Sequence, residues 1–193
     1  MSEETDNTDL EYNADLQIQY KTAIKKYLLQ CIIMEGSKII LFFIIFAYFH
    51  VTLPYIIALL VLMLVRCNGG GLHCKHYISC FLLSLFVLSA CIFCGMNIPI
   101  HKLISFFILV ICSISGYICA PVVSRNRPEP DEELIQKSKK RTATIILLYC
   151  FVICICPYSP YLNIGTWTII IHIIQLLLAK SFQRRDGDVQ SRL

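Results

Sequence analysis

"VTLPYIIALLVLMLVRCNGGGLHCKHYISCFLLSLFVLSACIFCG", residues 51–95, contains two apolar runs that are joined by a short polar segment. The run at 77–95 is as long as a helix that crosses a membrane, whereas the run at 51–65 is short for one. Of all 193 residues, 56% are hydrophobic and 16% are charged, whereas soluble domains average about a quarter charged. The pattern and the composition together predict an all-α, polytopic membrane protein.

Six apolar segments predict six transmembrane helices, at about 32–49, 51–65, 77–95, 103–120, 143–156 and 164–179. His50 and Pro54 mark the bend between the first two, and "CPYSPYLN", with two prolines, separates the last two. Residues 9–31 carry apolar side chains at helical spacing with lysines on other faces, which predicts an amphipathic helix at the membrane surface. We expect residues 1–193 to form a single membrane domain.

Basic residues are confined to alternate connections of this six-span arrangement. They occur in the N-terminal segment, the loop at 66–76, the loop after the fourth span and the C-terminal tail, while the other three connections together hold one lysine, Lys102. Positively charged loops face the cytoplasm. The distribution therefore predicts that both termini and the 66–76 loop are cytoplasmic.

The polar segment between the second and third spans has two chemical interpretations. It contains ligand types that zinc accepts, but their spacing fits no common structural zinc pattern, so we expect no metal. The alternative is a nucleophilic thiol at Cys80, near the start of a helix, where we expect better access to water than for cysteines inside the apolar runs. Most of the eleven cysteines lie in those runs and are predicted to pack as small apolar groups.

Two histidines are candidates for the base beside Cys80. His76 is four residues away and shares a helix face with Cys80 if the helix includes it. His73 is seven residues away, roughly 10 Å along a straight helix, and reaches the thiol only if the glycine loop folds back. Geometry leaves the choice open, and both imidazoles could simply face water.

The segment resembles the accessory gene regulator B (AgrB) family, membrane peptidases that process autoinducing-peptide precursors in Gram-positive bacteria. "APVVSRNRPEP", residues 120–130, is similar to the family's loop after the fourth span, and Glu35 with Gly36 fits its N-terminal region. Cys74, where the family often has a small residue, and His76 depart from the pattern and make the base less certain. The family motif of an arginine, a glycine pair, a histidine and a cysteine is matched by Arg66, Gly70, Gly71, His73 and Cys80.

The resemblance implies a cysteine endopeptidase with Cys80 as nucleophile and His73 as base, without a cofactor. It implies that the enzyme removes the C-terminal tail of a small AgrD-like precursor peptide through a thioester and promotes cyclisation to a thiolactone or lactone. It also implies a multi-pass protein of the bacterial cell membrane that forms a homodimer and binds no nucleic acid. The predicted substrate-binding residues are Arg66, Gly70, Gly71, Glu35 and Lys38.

Two other functions remain open at this stage. Glu35 and Lys38 are close enough on a helix to pair with each other, and they either snorkel toward the headgroups or contact a polar substrate. The same cysteine–histidine chemistry would serve a membrane S-acyltransferase. A peptide transporter or exporter would use the charged start of the first span and the proline breaks for gating, and it would not need Cys80.

Overall fold

The computed structural model describes residues 35–71, 77–121 and 132–190, together with Thr22, Leu29 and Ile33. In these ranges every secondary-structure element of more than two residues is an α-helix. The predicted amphipathic helix at 9–31 lies outside the described residues except for Thr22 and Leu29, which are helical and exposed. The helices are α1 (35–48), α2 (Thr52–Gly69), α3 (Tyr77–Asn97), α4 (Lys102–Cys119), α5 (Glu132–Ile155) and α6 (Pro160–Gln190).

The chain divides into two compact units, Met1–Ile45 and Phe46–Leu193. In the second unit, α1 ends where His50 adopts the left-handed backbone conformation, with φ 58°. Pro54 lies in the first turn of α2, a position that tolerates proline because the turn's N–H groups have no helical partner. The ring of Tyr55 stacks on Phe46, with centroids 4.9 Å apart. The predicted bend at His50 and Pro54 is confirmed.

Four helices in the described ranges are long and apolar enough to cross a membrane: α2, α3, α4 and Pro160–Ser181 of α6. Their outward faces carry large apolar side chains such as Phe86, Phe93 and Ile111, which are more than 60% exposed. A continuous surface of this kind suits lipid better than water. Six crossings and cytoplasmic termini remain predictions.

Three helices extend beyond their predicted bounds. α2 continues past Val65 to Gly69, so the second span is not as short as the apolar run suggested. α5 begins at Glu132, where an acidic first turn suits the helix dipole and Glu133 pairs with Lys137 at 2.7 Å. α6 begins at Pro160 and continues through the polar tail. Hydropathy marks the apolar part of a helix, whereas polar residues with good helix propensity extend it.

Neighbouring helices pack with a register that side-chain contacts define. Gly95 of α3 faces Ile164 of α6, and Cys91 is hydrogen-bonded to Thr168, so α3 and α6 are antiparallel. Ser113 of α4 donates to the Ala143 carbonyl of α5 at 3.2 Å. As a result, α2, α4 and α6 run toward the end of the bundle at which α3 and α5 begin. We call this the loop end.

The opposite end is held by polar contacts between α6 and the α3–α4 connection. The Asn163 amide donates to the carbonyls of Gly95 (2.7 Å) and Ile98 (2.9 Å), and its oxygen accepts from the Ile100 N–H at 3.1 Å. The Trp167 indole also donates to the Ile98 carbonyl at 2.9 Å. These four hydrogen bonds fix the end of α3 against α6.

Candidate functional site

The glycine run begins at the last residue of α2. Gly69 ends the helix, and Gly70 caps it with φ 77° and ψ −159°, a conformation essentially limited to glycine. The Gly70 N–H donates to the Arg66 carbonyl at 2.9 Å. The prediction that these glycines end the second span is confirmed.

Arg66 lies across the turn that follows its helix. A Cβ atom built on Gly71 would stand 3.2 Å from Arg66 Nε and 3.7 Å from its Cγ. This close approach is possible because Gly71 has no side chain. The fold therefore brings together three of the predicted site residues, Arg66, Gly70 and Gly71.

Cys80 is the fourth residue of α3, in the first turn as the helix is bounded here. Its exposed fraction is 6%, compared with 0% for Cys91, 3% for Cys150 and 7% for Cys112. The expectation that Cys80 is more accessible than the cysteines of the apolar runs is wrong: Cys80 is buried, although the other three residues of the first turn, Tyr77, Ile78 and Ser79, are exposed. Cys67, on the last turn of α2, is exposed instead.

His73 and His76 both fall in the segment 72–76, which lies outside the described residues. Gly71 and Tyr77 are the described residues on either side of it. The choice between the two imidazoles therefore stays a prediction. In the ranges that the structure describes, no group of three or more histidine, cysteine or acidic side chains is arranged to hold a metal ion.

Glu35 and Lys38 form an ion pair on α1, within the first unit. Lys38 Nζ lies 2.8 Å from Glu35 Oε1, and the Lys38 side chain is buried. The predicted pairing of these two charges is confirmed. Their role in contacting a substrate stays a prediction.

His172 of α6 is a residue of this region that the sequence reasoning missed. It is fully buried, and neither ring nitrogen has a hydrogen-bond partner in the described part of the chain. A buried polar group without a partner costs about 1–3 kcal/mol, and polar residues within membrane helices are most often functional. The available signal was one histidine in the apolar run "WTIIIHIIQLLL".

His172 faces the last residue of α2. A Cβ atom on Gly69 would stand 3.5 Å from His172 Nε2, 3.5 Å from Thr142 Cγ2 and 3.4 Å from Leu176 Cδ1. The charge of Arg66 is near enough to act on His172 electrostatically. The base of the glycine run is therefore enclosed by α5 and α6.

α5 also contacts the end of α2 directly. The Ser138 hydroxyl donates a short hydrogen bond to the Asn68 carbonyl. The last four carbonyls of a helix have no hydrogen-bond partner within the helix, and this bond satisfies one of those of α2. It attaches the basic stretch at 137–141 of α5 to the end of α2.

Cations collect at the loop end. Lys139 is partly exposed and Lys140 and Arg141 are exposed, all three on α5. Lys180 of α6 donates to the Ile118 carbonyl at 2.6 Å. Arg125 and Arg127, predicted to add to this charge, lie outside the described residues. The loop end therefore presents a positive surface to an acidic ligand.

A shallow cavity lies at the opposite end of the bundle. Lys102, Ser105, Cys156 and Asn163 contribute to its lining. Lys102 Nζ is engaged by the Cys156 carbonyl at 3.2 Å. None of the predicted site residues lines this cavity, so it is separate from the glycine run and Cys80.

The described residues form a helical bundle with four helices apolar enough to cross a membrane, an arginine-covered glycine turn after α2 and a buried cysteine in the first turn of α3. A sequence profile of the family described as Accessory gene regulator B matches residues 8–176. The chain belongs to this family, which acts in quorum-sensing peptide processing.

Two relatives extend the likeness along the chain. An AgrB-like protein of Clostridium perfringens (strain SM101 / Type A) is 28% identical over 188 residues, covering 92% of this chain and 83% of the relative. The Accessory gene regulator protein B of Staphylococcus aureus (strain bovine RF122 / ET3-1) is 26% identical over 149 residues, covering 77% and 79%. No solved structure matches the chain.

Proposed function

We propose that this protein is a membrane cysteine endopeptidase that removes the C-terminal tail of a small AgrD-like precursor peptide and promotes its cyclisation. The observation that carries the proposal is that Arg66, Gly70 and Gly71 form one turn just before the helix that bears Cys80. Family membership, stated above, supplies the substrate class. The catalytic pair is Cys80 with His73, and His76 is the alternative base.

The first half of the reaction cuts the chain. His73 takes the proton of the Cys80 thiol, and the thiolate attacks the carbonyl carbon of the peptide bond before the tail. The carbon–nitrogen bond breaks, the protonated histidine gives its proton to the leaving amine, and a thioester remains on Cys80. Arg66 and the main chain of Gly70 and Gly71 hold the substrate beside the thiol and favour the oxyanion.

The second half closes the ring. The precursor's internal cysteine or serine loses a proton and attacks the thioester carbonyl, the bond to the Cys80 sulfur breaks, and the Cys80 thiol regains a proton. Hydrolysis competes with this step, so water must be kept from the thioester. The burial of Cys80 supports this requirement better than an open thiol would.

Recognition of the tail rests on charge. The acidic tail is drawn to the cations of the loop end, while the paired Glu35 and Lys38 contact the substrate from α1. The protein spans the bacterial cell membrane several times, with both termini and the catalytic loop in the cytoplasm, and works as a homodimer. The reaction uses side chains of the protein and needs no cofactor.

The test is co-expression with the small peptide encoded beside this gene, read by mass spectrometry. Cys80→Ala and His73→Ala should abolish tail removal, while His76→Ala and the matched control Cys91→Ala, on the same helix, should retain it. Loss in His76→Ala with cleavage in His73→Ala would move the base by three residues. Cleavage by Cys80→Ala would exclude the peptidase and favour the transporter, and uptake of a labelled acyl chain without peptide would favour the acyltransferase.

A further inference from the structure

His172 has an unusual environment for a core residue. It lies with Leu176 and Thr142 around Gly69, the charge of Arg66 is near, and both its nitrogens are buried without a partner in the described ranges. Thr168, one turn earlier on the same face, is equally buried but donates to the Ile164 carbonyl of its own helix at 2.8 Å. The two residues share a helix face and a degree of burial, and only His172 keeps an unused donor and acceptor.

The side chain is directed at the root of the glycine run. Its Nε2 is 3.5 Å from the position that a Cβ atom of Gly69 would take. A helix leaves its last four carbonyls unserved, and the Gly70 N–H and the Ser138 hydroxyl serve two of them, those of Arg66 and Asn68. The imidazole packed against Gly69 makes no hydrogen bond to any of these carbonyls in this conformation.

His172 is too deep to touch the reacting atoms. The antiparallel register of α3 and α6, set by Gly95 with Ile164, brings Cys80 level with Ala179. Ala179 lies two turns beyond His172, roughly 10 Å along the helix. A direct acid–base role at the scissile bond is therefore excluded, and an effect through the loop remains.

We propose that His172 is a positioning residue of the proposed peptidase: when the precursor peptide binds, the unused Nε2–H takes up a main-chain carbonyl of the Gly69–Gly71 turn and so fixes the start of the loop that follows it. This inference rests on the proposed function. A misplacement of about 1 Å between reacting groups costs about a hundredfold in rate, so a support below the loop controls turnover without contacting the substrate.

The simpler reading is that His172 only fills space, and substitutions of matched size separate the two. Leucine fills the site without polar atoms, so a space-filler predicts full activity for His172→Leu. A positioning role predicts that His172→Leu folds but loses about tenfold or more in kcat, with KM nearly unchanged. Glutamine places an amide nitrogen near the Nε2 position and should restore turnover, whereas asparagine is too short to do so.

The experiment uses the full chain in phosphatidylglycerol-containing nanodiscs with the synthetic precursor peptide. Thr168→Val, which removes a buried hydroxyl that bonds to the Ile164 carbonyl and to Cys91 and does not contact Gly69, is the matched control and should keep its kcat. A fully active His172→Leu overturns the inference, as does a raised KM with unchanged kcat, which would mean contact with the substrate. If His172→Leu does not fold, equal rates for the glutamine and asparagine variants overturn it.

The same preparation separates this inference from the proposed function. If the Cys80→Ala variant still cleaves the precursor, the proposed peptidase function is excluded, and the positioning role of His172 is excluded with it. An inactive Cys80→Ala together with a fully active His172→Leu removes only the positioning role.

Discussion

The guanidinium of Arg66 lies across Gly71, so that a Cβ atom at position 71 would meet Arg66 Nε at 3.2 Å. The arginine and the glycine thus form one arrangement, although Arg66 belongs to the last turn of α2 and Gly71 lies after the helix. We expect Gly71→Ala to fold and to displace the arginine. Cleavage of the precursor should fall about tenfold or more, because the bidentate group is moved.

A matched variant isolates the arginine from the turn. Arg66→Lys keeps the charge but loses the planar fork, and it should be impaired to a similar degree. If Gly71→Ala cleaves normally while Arg66→Lys does not, the position of the guanidinium over the turn is unimportant and only its identity matters.

Gly70 should be the least replaceable of the three glycines. Its backbone, at φ 77° and ψ −159°, costs a residue with a side chain about 1–3 kcal/mol. We therefore expect Gly70→Ala to lower the melting temperature and the cleavage rate together. Gly69→Ala is the control, because its Cβ would meet neighbours only at ordinary contact distances of 3.4–3.5 Å. Equal effects of the two substitutions would contradict the assignment of the turn.

The contact between α3 and α6 predicts a stability effect far from the loop. A Cβ atom on Gly95 would stand 2.6 Å from Ile164 Cα, a backbone atom that cannot move aside. Gly95→Ala should destabilise the protein by about 1–3 kcal/mol, as overpacking does, and thermal unfolding in detergent would measure it. Gly36→Ala, where nothing lies within 4 Å, should leave the melting temperature unchanged or raise it, since alanine favours helix.

The cations of α5 should act on substrate affinity. Replacing Lys139, Lys140 and Arg141 by glutamine is expected to raise KM for the acidic-tailed precursor while kcat changes little, because long-range attraction contributes to encounter. The effect should shrink as salt is added, since the screening length is about 10 Å at 0.1 M. Lys102→Gln, at the opposite end of the bundle, is the control. A KM independent of salt in the unmodified protein would argue against charge recognition.

The sidedness of the loop end can be measured with its exposed thiol. Cys67 is exposed and Cys80 is buried. In a variant that keeps Cys67 but replaces Cys31, Cys74, Cys94, Cys154 and Cys156, a membrane-impermeant maleimide should label inside-out vesicles and leave right-side-out vesicles unlabelled. The opposite result would invert the proposed topology.

Local signals in the sequence predicted much of this fold. Proline and glycine mark the breaks at Pro54, at Pro160 and at Gly70, because each restricts or frees the backbone whatever its surroundings. The pairing of Glu35 with Lys38 follows from helical spacing alone. The start of α5 at Glu132 was not predicted, since its first turns are too polar to stand out in a search for apolar runs.

The parts of the site that depend on packing could not be predicted in this way. Cys80 is buried while Tyr77, Ile78 and Ser79 just before it are exposed, and nothing in these neighbouring residues indicates the difference. The interest of His172 comes from its position next to Gly69 and Thr142, which are distant in the chain and meet only in the folded bundle. A lone histidine in an apolar run carries no local sign of such neighbours.

The four hydrogen bonds that hold the α3–α4 connection to α6 fix the C-terminal end of α3. A small tilt of the helix about this end therefore moves its N-terminal end most. Cys80 lies near the opposite end of the helix, roughly 22 Å along it from Gly95. A tilt of about 3° around the fixed end would carry the sulfur about 1 Å, a displacement large enough to alter turnover. The position of the thiol therefore depends on Asn163, at the opposite end of the bundle.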